Sequence, residues 1–289
     1  MSEFLTNPGC TRRILDKYGL HAKKKYGQNF LIDADIVTGI IRASKITKDD
    51  CVLEIGPGIG TMTQYLALEA GKVVAVEIDE SLRDVLSETL DACTNTTVLF
   101  QDILKTDLNK IRETYNNGKR LKCVANLPYY ITTPILLQLF REEHCFDSIT
   151  VMVQKEVAER IIAGPGSKDY GALSLAVQYY ADPKCEMIVP PHCFMPRPGV
   201  DSAVLYLKAY DTPPVEADPD VLFTLIRASF NQRRKTLANA LSHGCMINGR
   251  TLTRDEVTGA LRQLNLPEDV RGEKLSLEDF AALSRLLAD

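Results

Sequence analysis

The chain has 289 residues, of which 45% are hydrophobic and 25% charged, and its formal net charge is −4. This composition is typical of a globular protein with one large and one smaller domain, and it excludes a disordered or fibrous chain. No apolar run reaches eighteen residues and the first residues do not form a signal peptide, so we expect a cytoplasmic protein without a membrane span. The cysteines and histidines show no metal-ligand spacing, so no metal site is predicted.

Basic residues cluster near the amino terminus and again far along the chain, although the net charge is acidic. The first cluster contains Arg12, Arg13, Lys17, Lys23, Lys24 and Lys25, and the second contains Arg233, Arg234 and Lys235. Local basic patches on an acidic body fit a phosphate-backbone partner that is met at restricted places. Such runs are also typical of a solvated surface, and the pattern alone leaves both interpretations open.

Helical and extended patterns alternate through the first two thirds of the chain. A basic helix is predicted over 11–18, and Asp33 or Asp35 can cap a second helix. Seven strands are predicted, at 51–55, 72–78, 97–100, 121–125, 148–153, 185–189 and 203–209. Predicted helices connect most of these strands, and the last strand is predicted to run antiparallel to the others. The pattern predicts a Rossmann-like, seven-stranded, doubly wound α/β sheet that is mostly parallel.

The periodicity changes after a proline-containing linker at 211–214, and only helical patterns follow it. Residues 1–210 are therefore predicted to form a large α/β domain with a basic amino-terminal extension. Residues 211–289 are predicted to form a small α-helical domain.

One helix of this second domain poses a problem at Arg233. If the helix continued that far, Arg233 would fall on its apolar face, which is an unfavourable position for a charged side chain. The sequence therefore predicts a break near Asn231. Residues 232–235 are predicted to open a second helix with an exposed basic turn.

Three predicted strand ends carry residues that suit a nucleotide-like ligand. Gly56 and Gly58 follow the first strand, Glu77 ends the second, and Asp102 follows the third. Glycines let a ligand approach the backbone closely. Glu77 is placed to accept hydrogen bonds from ribose hydroxyls, and Asp102 is placed to accept one from an adenine amino group. A nicotinamide dinucleotide and S-adenosylmethionine both fit. The G-x-G-x-G spacing and the antiparallel last strand favour the methyl donor.

The segment Asn126-Leu127-Pro128-Tyr129 follows the fourth predicted strand. An amide oxygen beside a main-chain carbonyl can accept both hydrogens of an exocyclic amine, and Tyr129 offers a flat face for a base. The segment predicts a pocket for an amine such as adenine N6. The same residue types are also common in plain strand-to-loop turns.

Taken together, these motifs resemble those of the ribosomal RNA adenine N6,N6-dimethyltransferases, and most closely the bacterial small-subunit branch. The resemblance runs from about Thr11 to the carboxyl terminus. The matching segments, in order, are Gln28-Asn29-Phe30-Leu31, Glu54-Ile55-Gly56-Pro57-Gly58-Ile59-Gly60-Thr61, Glu77-Ile78-Asp79, Asp102, Asn126-Leu127-Pro128-Tyr129, Phe194 to Ser202 and Phe230 to Leu237.

The resemblance implies a monomeric, S-adenosylmethionine-dependent enzyme that dimethylates two adjacent adenosines near the 3′ end of small-subunit (16S) RNA, within a 30S precursor. The implied cofactor contacts are Gln28, Asn29, Leu31, Gly56, Gly58, Glu77, Asp102 and Asn126. The implied target-base contacts are Asn126, Leu127, Pro128, Tyr129 and Phe194. The predicted RNA contacts are Arg12, Arg13, Lys23, Lys24, Lys25, Arg233, Arg234 and Lys235.

Two further functions remain compatible with these motifs. A large-subunit RNA adenine dimethyltransferase of the antibiotic-resistance type shares the fold and the chemistry, although the segment 230–237 and the long helical region favour the small-subunit branch. A ribosome assembly factor without catalytic activity would keep only the fold. A DNA adenine methyltransferase is less favoured, because its pocket usually reads (Asp/Asn)-Pro-Pro-(Tyr/Phe).

Overall fold

The computed structural model describes residues 4–20, 29–142 and 144–288, and the chain divides into two compact units. The first unit contains the chain up to Ala158 together with Pro183–Ala209, and the second contains Glu159–Asp182 and the chain from Tyr210 onward. The predicted domains had a single boundary at 210. The structure differs in grouping Glu159–Asp182 with the carboxyl-terminal helices.

Strands and helices alternate along most of the first unit. Its helices are α1 Pro8–Lys17, α2 Ala34–Ser44, α3 Thr61–Glu69, α4 Arg83–Thr89, α5 Leu108–Asn116, α6 Thr132–Arg141 and α7 Lys155–Ile162, which continues into the second unit. Its strands are β1 Phe30–Leu31, β2 Cys51–Ile55, β3 Lys72–Glu77, β4 Thr96–Phe100, β5 Leu121–Asn126, β6 Phe146–Gln154, β7 Ala181–Val189, β8 Phe194–Met195 and β9 Ser202–Ala209. The first two residues of β7 belong to the second unit. Helix α5 has no counterpart among the predicted elements.

Seven of these strands form one sheet in the order β4-β3-β2-β5-β6-β9-β7. The first five run parallel to their neighbours, whereas β9 is antiparallel to β6. The predicted seven-stranded α/β sheet is therefore confirmed. The strands β3 and β4, which follow β2 in the chain, lie on one side of β2, and β5 and β6 lie on its other side. The strand order therefore reverses between β2 and β5. Ligands bind at such a reversal, beyond the carboxyl ends of the strands.

Burial explains why these segments form a parallel sheet. Every residue of β2 is buried, as expected for a strand covered on both faces. On one face, Val37 of α2 and Leu66 of α3 pack in the same apolar cluster as Val52 and Val124 of the sheet. This packing fixes the loops that follow β2 and β5.

The second unit is mostly helical. Besides Glu159 to Ile162 of α7, it contains α8 Ala172–Tyr180, α9 Pro219–Asn231, α10 Leu237–Ser242, β10 Met246–Ile247, β11 Arg250–Thr251, α11 Arg254–Gln263 and α12 Leu277–Leu287. The antiparallel pair β10–β11 was not predicted. Buried residues from all five of the helices α8 to α12 share one apolar cluster, which forms the core of this unit.

The predicted break in the helix at Asn231 is confirmed, because α9 ends at that residue. The prediction that residues 232–235 open the next helix is wrong, since these residues form a turn and α10 begins at Leu237. Gln232 leaves the helical region with φ −121° and ψ 46°. The Leu237 N–H then donates to the carbonyl of Val270 at 2.7 Å, which sets the start of α10.

Candidate active site

An open cavity lies at the carboxyl ends of β2, β3, β4 and β5 in the first unit. Its empty volume is about 1070 Å³, including the solvent at its mouth. Among its lining residues are Asn29, Leu31, Gly56, Gly58, Glu77, Asp102, Asn126, Leu127, Pro128 and Tyr129. The structure thus brings together every described residue of the predicted cofactor set and four of the five in the predicted target set. Gln28 lies outside the described residues.

Glycines shape the loop between β2 and α3. The φ angles of Gly56, Gly58 and Gly60 are 69°, 59° and 93°, a region that residues with side chains rarely adopt. A Cβ atom on Gly58 would lie 3.3 Å from the ring of Phe30, whereas no described atom lies within 4 Å of that position on Gly56. The loop therefore presents bare backbone to the cavity at Gly56.

Glu77 ends β3, and two backbone amides hold its carboxylate. The residue is 5% exposed. Its Oε2 accepts from the Gly58 N–H at 3.2 Å, and its Oε1 accepts from the Asp79 N–H at 2.8 Å. Burial raises the pKa of Glu77, and the backbone hydrogen bonds act in the opposite direction. Since each carboxylate oxygen has more than one lone pair, Glu77 can also accept bonds from two hydroxyl groups of a ligand.

Asp102 follows β4 and caps a short turn of 3-10 helix. Its Oδ1 accepts from the Leu104 N–H at 3.0 Å, which fixes the side chain and leaves acceptor capacity. Ile78 and Ile103 line the same cavity, so apolar surface and an acceptor occur together. Such a combination suits the flat, amino-bearing ring of an adenine. Sequence reasoning identified the acid but not the isoleucines.

The segment Asn126 to Tyr129 begins at the last residue of β5. The Asn126 side-chain Nδ2 donates to the backbone carbonyl of Asn29 at 3.3 Å. Its amide oxygen is thereby left as an acceptor beside the cavity. Leu127 is buried, and its N–H donates to the carbonyl of Met152 in β6 at 3.1 Å. The backbone at this point is thus held by the sheet itself.

Tyr129 is held at its phenol end. Its hydroxyl forms a 2.7 Å hydrogen bond with the Ser202 hydroxyl at the start of β9, and burial raises its pKa. Tyr130, the next residue, also lines the cavity and is 56% exposed. The cavity therefore has one anchored aromatic ring and a second, more exposed one.

Phe194 is a buried residue of the short strand β8. Phe194 is 2% exposed, and it lies opposite Leu31 because β8 pairs with β1. Its side chain packs in the apolar cluster that includes Met152 and Val204. Phe194 is not among the described residues that line the cavity, and its predicted contact with a target base stays a prediction.

Glu54 lines the cavity and was not predicted as a site residue. It is 0% exposed in the middle of β2, and neither carboxyl oxygen has a hydrogen-bond partner in the described part of the chain. Burial raises the pKa of Glu54 to about 8; the Thr63 hydroxyl acts in the opposite direction, and the nearby charge of Glu77 adds to the rise. The sequence signal that could have identified this residue is an acid within the otherwise apolar run Cys51 to Ile55.

The predicted RNA contacts fall in both units. Arg12 and Arg13 are exposed on α1, whereas Lys23, Lys24 and Lys25 lie outside the described residues. In the second unit, Arg234 and Lys235 are exposed in the turn before α10. Arg233 in the same turn is also exposed, and it forms an ion pair with Glu273, with 2.7 Å between Nε and Oε2.

Neither a metal-binding cluster nor a membrane-spanning helix occurs among the described residues. No group of three or more His, Cys, Asp or Glu side chains in residues 4–20, 29–142 and 144–288 is arranged to hold a metal ion. Within the same ranges, no helix combines the length and apolarity that a membrane crossing requires. All eight cysteines are free thiols.

The model of the ribosomal RNA adenine dimethylase family matches residues 19–289. The chain belongs to this family. It is 54% identical over 286 residues to "Ribosomal RNA small subunit methyltransferase A" of Lachnoclostridium phytofermentans, with 98% of each chain covered. It is 45% identical to the protein of the same name from Clostridioides difficile, over 98% of this chain and 96% of that one.

Solved structures agree with this membership. A dimethyladenosine transferase from Plasmodium falciparum superposes with a TM-score of 0.73 and 26% identity, over 88% of this chain and 95% of that one. The 23S rRNA methyltransferase ErmE gives a TM-score of 0.66 at 24% identity, which speaks for the fold alone. The resemblance to the rRNA adenine dimethylases, stated first from sequence motifs, is thus confirmed over nearly the whole chain.

Proposed function

We propose that this rRNA adenine dimethylase transfers methyl groups from S-adenosylmethionine to N6 of two adjacent adenosines near the 3′ end of small-subunit RNA. The observation that carries the proposal is that relatives named for the small subunit match nearly the whole length of this chain. The relative from Lachnoclostridium phytofermentans does so at 54% identity. The cavity supports it, because it gathers Glu77, Asp102 and Asn126 at neighbouring strand ends.

The residues of the cavity fit an adenosine-containing methyl donor. Glu77 would accept hydrogen bonds from the ribose hydroxyls, and Asp102 would accept one from the adenine amino group. The bare backbone at Gly56 leaves room for the methionine part of the donor. The unpartnered carboxyl group of Glu54 also fits, since a buried acid gains most from a ligand that carries positive charge. The bound donor supplies an electrophilic methyl group on a cationic sulfur.

The chain itself must make the target amine reactive. The lone pair of an adenine amino group is delocalised into the ring, which makes the nitrogen a poor nucleophile. Oδ1 of Asn126 and the backbone carbonyl of Leu127 would accept the two N–H hydrogens. Both acceptors favour a pyramidal nitrogen and stabilise the positive charge that develops on it. Because β5 and β6 hold these groups rigidly, little reorganisation is needed.

Tyr129 would receive the target base once it has left its stack. The hydrogen bond to Ser202 fixes the tyrosine ring, so its flat face is available without further ordering. Stacking on an aromatic ring contributes about 1–3 kcal/mol per base. All these groups come from one chain, so we propose a monomer that acts on a precursor of the small subunit in the cytoplasm.

Methyl transfer to isolated ribosomal subunits tests the proposed function. Small subunits and large subunits from cells that lack this protein are incubated with purified protein and labelled S-adenosylmethionine, and the modified bases are mapped by mass spectrometry. We expect two adjacent dimethyladenosines in the small-subunit RNA. Labelling of large-subunit RNA alone would favour the antibiotic-resistance type, and no labelling of either would favour an assembly factor.

A further inference from the structure

Tyr130 is the most exposed aromatic residue in the described part of the chain. It is 56% exposed, whereas Phe4 and Tyr210, the other exposed aromatic residues of the described ranges, are 42% and 38% exposed. Of these three residues, only Tyr130 lines the cavity at the carboxyl ends of the strands. A residue that lines a cavity and is more than half exposed lies at its mouth. Sequence reasoning did not identify Tyr130 as a site residue.

Tyr130 lies on the side of the cavity that would hold the target base. It follows β5, whereas Asp102, the proposed contact for the adenine of the donor, follows β4. Strands β3 and β2 lie between β4 and β5 in the sheet. Since neighbouring strands are about 4.8 Å apart, three strand spacings separate the two strand ends by about 14 Å. The ring of Tyr130 therefore belongs to the target side of the cavity.

Hydrogen bonds fix the backbone that carries Tyr130. Residues Tyr129–Ile131 form a single turn of 3-10 helix after Pro128. The Ile131 N–H donates to the carbonyl of Pro128 at 3.2 Å, and the Thr132 hydroxyl donates to the same carbonyl at 3.1 Å. Little ordering of this backbone is therefore needed when a ligand meets the ring of Tyr130.

The side chains of Tyr129 and Tyr130 leave this turn in different directions. A 3-10 helix has three residues per turn, so successive side chains point about 120° apart. The hydroxyl of Tyr129 is anchored by its hydrogen bond to the Ser202 hydroxyl. If Tyr129 receives the target base, Tyr130 faces the part of the RNA next to that base.

Base flipping creates a need for an aromatic ring at this place. A target base that leaves its stack deprives the neighbouring base of a stacking partner, and this loss is part of the cost of flipping. An aromatic side chain beside the flipped base can take over as the stacking partner of its neighbour, because every base has a π-face. A purine offers a larger face than a pyrimidine.

We propose that Tyr130 stacks on the base next to the target adenosine, and that the ring thereby favours a purine at this neighbouring position. The identity of the RNA rests on the proposed function, in which two adjacent adenosines are the targets. Each adenosine then has a purine as its neighbour. Tyr130 determines specificity in this proposal, because it touches the substrate beside the reacting base and not the reacting amine.

Paired substitutions in the protein and in the RNA test the proposal. Small subunits are purified from cells that lack this protein, either unaltered or with one of the two adjacent adenosines replaced by uridine. The kcat/KM for methyl transfer to the remaining adenosine is measured for the wild type, Tyr130→Ala and Tyr130→Phe. Phe4→Ala is a further control, because it removes an exposed ring that packs on Tyr65 and does not line the cavity.

On unaltered subunits, Tyr130→Ala should lower kcat/KM by roughly 5- to 150-fold, the effect of losing one stack between a base and an aromatic ring. Tyr130→Phe and Phe4→Ala should stay close to the wild type. With uridine as the neighbour, the wild type should become slower on at least one of the two altered subunits. Tyr130→Ala should discriminate less between the same two substrates, and such non-additivity indicates a direct contact.

Two outcomes would overturn the proposal, provided that thermal unfolding and a titration with S-adenosylmethionine show an intact Tyr130→Ala protein. The first is a kcat/KM of Tyr130→Ala near the wild-type value. The second is the same preference for adenosine over uridine in Tyr130→Ala as in the wild type, because the ring would then act elsewhere.

Equilibrium binding separates this proposal from the proposed function. The same subunits are titrated in the presence of S-adenosylhomocysteine, which has no methyl group to transfer. If the wild type labels no adenosine, but its preference for an adenosine neighbour in binding disappears in Tyr130→Ala, the contact stands and the proposed methyl transfer fails. If the wild type labels the subunits and this preference persists in Tyr130→Ala, only the role of Tyr130 fails.

Discussion

Replacing Asn126 by alanine tests the proposed chemistry at one atom. The substitution removes Oδ1, the proposed acceptor for the target amine. It also removes the 3.3 Å hydrogen bond from Nδ2 to the carbonyl of Asn29, which contributes about 1 kcal/mol to folding stability. The backbone stays in place, because the Leu127 N–H remains bonded to Met152 in β6.

The expected loss of activity follows from the charge on the reacting nitrogen. A hydrogen bond to a charged group contributes about 1.5–3 kcal/mol. Since 1.36 kcal/mol corresponds to a tenfold change in rate, Asn126→Ala should lower kcat by roughly 10- to 150-fold. Binding of S-adenosylmethionine should change little, because Glu77 and Asp102 keep their backbone contacts.

Two measurements decide this prediction. Initial rates of methyl incorporation into small subunits give kcat, and a calorimetric titration gives the affinity for S-adenosylmethionine. Asn126→Asp is the matched control, since it keeps an acceptor at the same place and should retain more activity than Asn126→Ala. A kcat near the wild-type value for Asn126→Ala, in a folded protein, would refute the role of this amide.

Three other substitutions have defined outcomes. Glu77→Gln removes the charge that the ribose hydroxyls of S-adenosylmethionine would meet; since a hydrogen bond to a charged group contributes about 1.5–3 kcal/mol, binding should weaken by roughly 10- to 150-fold in a titration. Glu54 has a pKa of about 8 in the folded protein and about 4.5 when unfolded, so the folded state binds the extra proton between these values. The unfolding free energy should therefore fall as pH rises from 4.5 to 8, by on the order of 5 kcal/mol from this group, and urea titrations should show a weaker fall in Glu54→Gln. Phe194→Ala should destabilise the protein by about 3–5 kcal/mol, because the ring is buried, and a thermal unfolding temperature equal to that of the wild type would contradict this packing.

Local patterns predicted most strands but missed one helix. The run Leu121 to Ala125 is apolar apart from Lys122, so its prediction as a strand follows from composition alone. Helix α5 was missed because only Leu108 and Ile111 of its nine residues are buried, which is a weak helical pattern. Its boundaries were visible at Asp107, which caps the start, and at Asn117, whose φ of 51° ends the helix.

Pairing between distant segments could not be predicted. Strands β1 and β8 have two residues each, which is too short for an alternating pattern, and Leu31 and Phe194 are far apart in the sequence. Tertiary packing buries Phe194 in the apolar core, which its motif did not indicate, and its contact with the target base stays a prediction. The grouping of Glu159–Asp182 with the second unit has the same origin, because Tyr170 bonds to Leu275 and Tyr179 packs against Phe223.

The sequence by itself determined the sheet, the family and the residues at the strand ends, because each depends on patterns within a few neighbouring residues. Glycine positions, acids after strands and the segment from Asn126 to Tyr129 are such patterns. Only the tertiary structure decided the partners of buried or charged groups. It placed Glu54 without a partner in the cavity, and it joined Arg233 to Glu273 and Lys168, since these contacts depend on chain segments that meet only after folding.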